Sequence, residues 1–176
     1  MTLDKAEVNS NLFTYNASWF GSDTASLNVF EIGGAIAFKA NNLRTHIDMK
    51  MREGIFYSNG AGSFVELPAN QYICYIDKLK WAMDKELLTL GDEVASASSG
   101  SEFISVHPYH DSLSFIATTA NYSLKDYIIH ASGVEDISVA DAIIYPDSGI
   151  VTVEKKAVVK TLYGARILAD DLTEYH

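Results

Sequence analysis

Cysteine is nearly missing from this chain of 176 residues: Cys74 stands alone. A single thiol excludes an intrachain disulfide, and with it the stapled framework of small secreted domains. Burial therefore has to stabilise the fold. Basic side chains are also scarce, 13 Lys and Arg against 23 Asp and Glu, for a formal net charge of −10. They are scattered singly or in pairs, so no cluster exists to displace counterions from phosphate, and nucleic acid is not an expected partner. No window approaches the ~20 apolar residues that a membrane-spanning helix needs, which argues against an integral membrane segment. Residues 1–11 carry Asp4, Lys5 and Glu7 and lack the basic start and apolar stretch of a secretory signal. The expected compartment is the cytoplasm, or the periplasm or cell envelope where a targeting segment has been removed.

What is present is apolar and aromatic. The hydrophobic fraction is 48%, with 8 Phe, 10 Tyr and 2 Trp, enough to bury a core and too much for a disordered chain. Short apolar stretches with frequent alternation, broken by Asn, Gly, Asp and Ser, give a strand-and-turn signature. The expected fold class is all-β. Residues 12–20 and 25–32 read as strands, Gly33-Gly34 as a turn, and residues 36–40 as a strand broken at Asn41-Asn42. Leu43, Thr45, Ile47, Met49 and Met51 then share one face while Arg44, His46, Asp48, Lys50 and Arg52 share the other. Glu53-Gly54 reads as a tight hairpin turn, and Asn59-Gly60-Ala61-Gly62 as another.

Residues 64–67 and 72–79 are further strands. Residues 80–90 suit a short helix or two strands joined at Asp84-Lys85, and their strand neighbours favour the second. Beyond a Ser/Ala/Gly loop over 95–101, strands are expected at 103–106, 113–117, 127–131, 137–145 and 150–154. In 157–169, Gly164 and the β-branched content favour a strand pair over an amphipathic helix. The chain thus reads as a single β-rich domain, 1–176, divisible into sub-repeats 1–94 and 102–176. Residues 42–58, 81–91 and 138–154 share a loose strand-turn-strand form, and hairpins of this kind bury their apolar faces only by packing in series.

Ala37-Phe38-Lys39-Ala40-Asn41-Asn42-Leu43 with Ile47-Asp48, then Glu53-Gly54-Ile55-Phe56 and Ser58-Asn59-Gly60, resembles the repeat of the lipopolysaccharide-transport β-jellyroll proteins (organic-solvent-tolerance-like). A looser echo lies in Val139-Ala140-Asp141-Ala142, Pro146-Asp147-Ser148-Gly149 and residues 150–153. The resemblance implies an elongated stack of short strands, a folded-over β-jellyroll or β-solenoid. It also implies a groove between sheet faces that carries an acyl chain or another envelope polymer. No individual binding residue transfers. The alternative architecture is a compact β-sandwich.

The sharpest local constellation is His107-Pro108-Tyr109-His110-Asp111, two imidazoles and a carboxylate in a stiff loop. Zinc needs three or four such ligands, so His107, His110 and Asp111 form an incomplete metal set unless His46, Asp48 or His130 joins them. A polar loop is the plainer reading, and no metal or other cofactor is expected. Cys74, among Tyr72, Ile73, Tyr75 and Ile76, reads as a small buried hydrophobe. No Gly-x-Ser-x-Gly elbow and no phosphate loop occurs. Acid pairs such as Asp77 with Asp84, Glu135-Asp136 and Asp170-Asp171 read as solvated turns and ends. The aromatics Phe13, Tyr15, Trp19 and Phe20, and Tyr72, Tyr75 and Trp81, serve a core if buried and stack on sugars or a protein partner if exposed.

The expected function is a non-enzymatic scaffold or transport module of the cell envelope. It works by self-association or partner binding through sheet edges, with a lipid or glycan as possible ligand. A carbohydrate-binding β-sandwich is the first alternative, and a metal-dependent hydrolase at His107, His110 and Asp111 the second.

Overall fold

The structure, a computed structural model, describes residues 2, 3, 5–31, 33–92 and 100–169. Among these the chain is all-β, with two one-turn 3-10 segments and no α-helix. Three short strands, β1 (Thr2–Leu3), β2 (Ala6–Asn9) and β3 (Thr14–Tyr15), precede two long ones, β4 (Trp19–Phe30) and β5 (Ile36–Asp48). Then come β6 (Glu53–Ser58), β7 (Phe64–Leu67), β8 (Tyr72–Tyr75), β9 (Lys78–Ala82), β10 (Leu87–Gly91), β11 (Ser101–Ser105) and β12 (Ser114–Ala117). The last are β13 (Thr119–Ser123), β14 (Ile128–Ser132), β15 (Ile137–Val139), β16 (Ala142–Tyr145), β17 (Ile150–Val153) and β18 (Arg166–Ala169). They form one large open antiparallel sheet.

The long β4–β5 hairpin organises the rest. Its pairing slips three times, twice at the bend and once near the hairpin end. Ser22 faces Thr45 but Ala25 faces Leu43, which leaves an extra residue on β4; Leu27 then faces Ala40, which leaves one on β5. Such bulges bend a strand and increase its twist. Asn42, in the second bulge, has φ of 55°, a left-handed conformation that Asn tolerates better than most residues. The strand expected to break at Asn41-Asn42 therefore continues through them, bent. On one side of the bend residues 43–48 pair with β6, and on the other residues 39–41 pair with β7.

Two ladders grow from this fork. One runs β5-β6-β9-β10-β13-β14-β17 and the other β5-β7-β8-β11-β12-β15-β16-β18. The chain feeds them alternately. Hairpin β7–β8 joins the second, β9–β10 the first, β11–β12 the second, β13–β14 the first and β15–β16 the second. Extended backwards through β4, β2 and β1, the second ladder holds eleven strands. At ~4.8 Å per strand it is about 48 Å long, against about 15 Å for a strand of four or five residues. This is an elongated stack.

Register lines up the core. Val65, Cys74, Phe103, Phe115 and Ile137 follow one another across the second ladder, and all are buried. In the first, Phe56, Leu79, Leu90, Ala120, Ala131 and Val151 form one buried row, and Trp81, Leu88, Tyr122, Ile129 and Val153 form the next. Each large side chain so buried contributes ~1.5–3 kcal/mol. Polar contacts tie the layers together. The Tyr122 hydroxyl donates to the Ala37 carbonyl at 3.3 Å, and Asn70 Nδ2 donates to the carbonyls of Tyr127 at 2.8 Å and Val153 at 3.2 Å.

Several local expectations change. Residues 12–20 are not one strand, because Asn16 N–H donates to the Trp19 carbonyl at 2.8 Å and closes a β3–β4 hairpin. The β5–β6 turn lies at 49–52, so Met49 and Met51 leave the buried face, and Gly54 is a strand residue. Residues 72–79 divide at Ile76-Asp77, and 137–145 divide at Ala140, whose φ is 49°. Residues 119–123 form β13, a strand the sequence reading passes over. Residues 80–90 are two strands around the 3-10 turn Met83–Lys85, as expected. In 157–169, Val159 bridges to Val153 of the first ladder while β18 joins the second. Most of the 95–101 loop lies outside the described residues; Tyr75 pairs with Glu102 and Leu88 with Tyr122, so both ladders join the two halves.

Candidate functional site

The end of the stack at β18 exposes apolar side chains. Ile137 pairs with Ile144 and Ile144 with Ile167, so Ile167 continues the buried row of the second ladder. Burial fails along that row: Ile137 is 1% exposed, Ile144 half-buried and Ile167 66% exposed. Leu168 on the other face of β18, and Tyr163 and Val158 in the segment before it, are exposed as well. Among the described residues β18 pairs only with β16, which leaves its other edge open. At the opposite end the edge strands β1 and β3 are two residues each.

The His107 loop lies between β11 and β12. The rings of His107 and His110 approach to 4.6 Å between centroids, and His110 Nδ1 lies 3.0 Å from Ser105 Oγ. His107 Nδ1 accepts from the Tyr109 N–H at 3.2 Å. Burial, and then the neighbouring His107, lower the pKa of His110. Asp111 takes φ of 41° in the turn. Among the described residues no three His, Cys, Asp or Glu side chains gather as a metal would require. His46 stands on the outer face of β5, Asp48 Oδ1 accepts from the N–H groups of Lys50 and Met51, and His130 lies beside Thr152. Cys74 is fully buried, and burial pushes its thiol pKa well up. Asp84 pairs with Arg52, while Asp170 and Asp171 lie outside the described residues.

A groove of about 640 Å³ opens where the β1–β2, β5–β6 and β9–β10 turns meet, with Leu3, Phe30, Met49, Trp81, Met83 and Leu124 among its lining. The Lys5–Glu86 ion pair, at 2.7 Å, and the Arg52–Asp84 pair stand on its rim. Trp81 Nε1 is buried without a hydrogen-bond acceptor.

A second cleft, about 570 Å³, lies at the bend of β4–β5. Loop 10–13 crosses from β2 to β3 beside the β4 bulge and walls it, and the outward residues of β4, β5 and β6 floor it. There Trp19 lies 4.8 Å from the His46 ring and the Arg44 guanidinium sits 5.0 Å over Tyr57. The structure sorts the aromatics: Phe20, Tyr72 and Trp81 are core, Tyr15 and Tyr75 are exposed, and Trp19 is half-buried in this cleft. Sequence reading grouped Arg44 and His46 on one strand face but missed their meeting with Trp19 and Tyr57. The available signal was the shared outward phase of adjacent strands. Neither protein-family models nor curated proteins match this chain.

Proposed function

We propose that the chain is a non-enzymatic structural module that assembles with a second copy of itself by adding strands at β18. The observation that carries this reading is the apolar row from Ile137 through Ile144 to Ile167, which runs out of the core onto an open edge. Natural monomers normally shorten, charge or cover such edges. Antiparallel pairing of two β18 strands would set Ile167 on one face and Leu168 on the other against side chains of the second copy and satisfy the free backbone groups. Burying what is still exposed of each side chain is worth ~1–2 kcal/mol. Association itself costs ~4–15 kcal/mol, so the contact is weak and concentration-dependent. The resemblance to lipopolysaccharide-transport repeats supports an envelope setting, with the groove beside Trp81 as the place for an apolar chain.

The test is the weight-average mass across a concentration series, by light scattering or sedimentation equilibrium. The mass should rise from 19.3 kDa towards twice that value, and Ile167→Lys should hold it at the monomer. A wild-type protein that stays monomeric up to about 1 mM, where binding is worth only about 4 kcal/mol, would overturn the proposal.

A further inference from the structure

We infer that the cleft at the bend of β4–β5 is a saccharide-binding site, a role independent of assembly through β18. Its volume, about 570 Å³, falls within the ~300–1,000 Å³ range of small-ligand pockets. A pyranose offers a flat C–H face and a rim of hydroxyls. A protein recognises it with an aromatic platform and planar groups that form paired hydrogen bonds. Both kinds stand here. Trp19 and Tyr57 supply rings, Arg44 a planar fork of donors, and Asp23 a pair of acceptors.

The cleft is built rather than incidental. Gly21 lies opposite His46 on the neighbouring strand, and a Cβ there would meet the Thr45 carbonyl oxygen at 2.7 Å. No side chain fits, and the missing one leaves a hollow beside Trp19. Ser10 and Ser22 join hydroxyls at 2.7 Å and pin loop 10–13 to the bulge. Ser22 Oγ also accepts from the Thr24 N–H at 3.2 Å, and Asn59 Nδ2 donates to the Asp23 carbonyl at 2.8 Å. The bulge therefore presents the exposed Asp23 at a set position. Among the described residues the ion pairs engage Lys5, Lys39, Arg52, Lys78, Lys80 and Lys160, but neither Arg44 nor Asp23. In a chain of net charge −10, an arginine whose guanidinium sits 5.0 Å over a tyrosine ring, outside the ion pairs of the described residues, is free to donate to a ligand. The surrounding hydroxyls and amides of Ser10, Asn11, Thr14 and Thr24 favour a hydroxyl-rich ligand over an apolar one.

The experiment is an NMR titration of the full-length, ¹⁵N-labelled protein with cellotriose, xylotriose, chitotriose and trigalacturonate, each to about 10 mM, which reaches binding of about 3 kcal/mol. Shifts should centre on the Gly21 amide, the Trp19 indole and the Arg44 amide. Trp19→Ala and Arg44→Gln should each weaken binding about tenfold, and Arg44 is exposed, so its loss leaves the fold intact. A response to trigalacturonate alone assigns Arg44 to a carboxylate; a response to the neutral trimers assigns it to hydroxyls. Ile167→Lys should leave binding unchanged, which separates this site from the assembly reading. Absence of shifts at Gly21 and Trp19 with all these probes, or binding that survives both substitutions, would overturn the inference.

Discussion

Gly54 separates two physical accounts of one glycine. As a hairpin-turn residue it would need a positive φ, and alanine there would strain the backbone wherever its neighbours point. In the structure it sits inside β6, opposite Ile47 and Trp81, outside the positive-φ set. What excludes a side chain is Phe56: a Cβ on residue 54 would lie 2.7 Å from Phe56 Cε2 and 3.0 Å from Cζ, with Ile47 Cγ1 at 3.4 Å. Phe56 is fully buried within the core cluster. Overpacking of this size costs ~1–3 kcal/mol. Alanine at an unstrained position returns ~0.4–1 kcal/mol through the unfolded chain. The net expectation for Gly54→Ala is a loss of ~1–2 kcal/mol, which at an m-value of ~2 kcal/mol/M lowers the urea midpoint by ~0.5–1 M. The double-mutant cycle with Phe56→Leu decides the cause. With the ring gone, Gly54→Ala should become neutral or slightly stabilising. An equal loss in both backgrounds would refute the steric account and restore the turn.

Cys74, fully buried with its thiol pKa raised by burial, should resist Ellman's reagent in native buffer and react only as urea opens the stack. Fast native labelling would contradict that burial. Tyr122→Phe removes the hydroxyl that crosses the core to Ala37 and should cost about 1 kcal/mol, or ~2–4 °C in thermal midpoint, with an unchanged midpoint as the contrary result. His110 has its pKa held below the ordinary 6.5 by burial and by His107. As pH falls, the unfolded chain takes up this proton first. Its contribution to stability is therefore full above about pH 6.5 and declines as pH falls from there through the folded value. His110→Gln should flatten the urea midpoint over that window, and an unaltered slope would exclude His110 as its source.

The strands were legible wherever alternation and turn chemistry agreed. Leu43, Thr45 and Ile47 alternate into the core, and Pro146-Asp147-Ser148-Gly149 turns with Gly149 at φ of 63°. The reading stopped short where a strand's length depends on a partner. Asn41-Asn42 carries a breaker's composition, yet β5 continues because β4 and β7 pair on either side of it. The β13 strand, Thr-Ala-Asn-Tyr-Ser, holds too few apolar residues to announce itself, and its place between β10 and β14 defines it. The alternate feeding of two ladders was beyond local pattern altogether. The cleft at the bend joins residues 10–12, 14, 19, 21–24, 44–46 and 57, a set that the bulges at the bend bring together.

The two ends of the stack are physically unlike, and this constrains how copies meet. β1 and β3 offer edges of two residues, while β18 offers four with Ile167 and Leu168 exposed. Head-to-tail growth would set the apolar strand against an edge too short to cover it. Tail-to-tail pairing sets β18 against its equal, and antiparallel strands related by a two-fold axis close the interface instead of propagating it. The cleft inferred to bind saccharide lies at the β4–β5 fork, and β5 stands seven strand spacings from β18 along the second ladder. A tail-to-tail pair would set its two β5 strands about 70 Å apart, each with a cleft beside it. One short sugar cannot reach both, but two polymer strands, or two distant points on one, can be held at that separation. Paired weak sites then gain from linkage what each lacks alone.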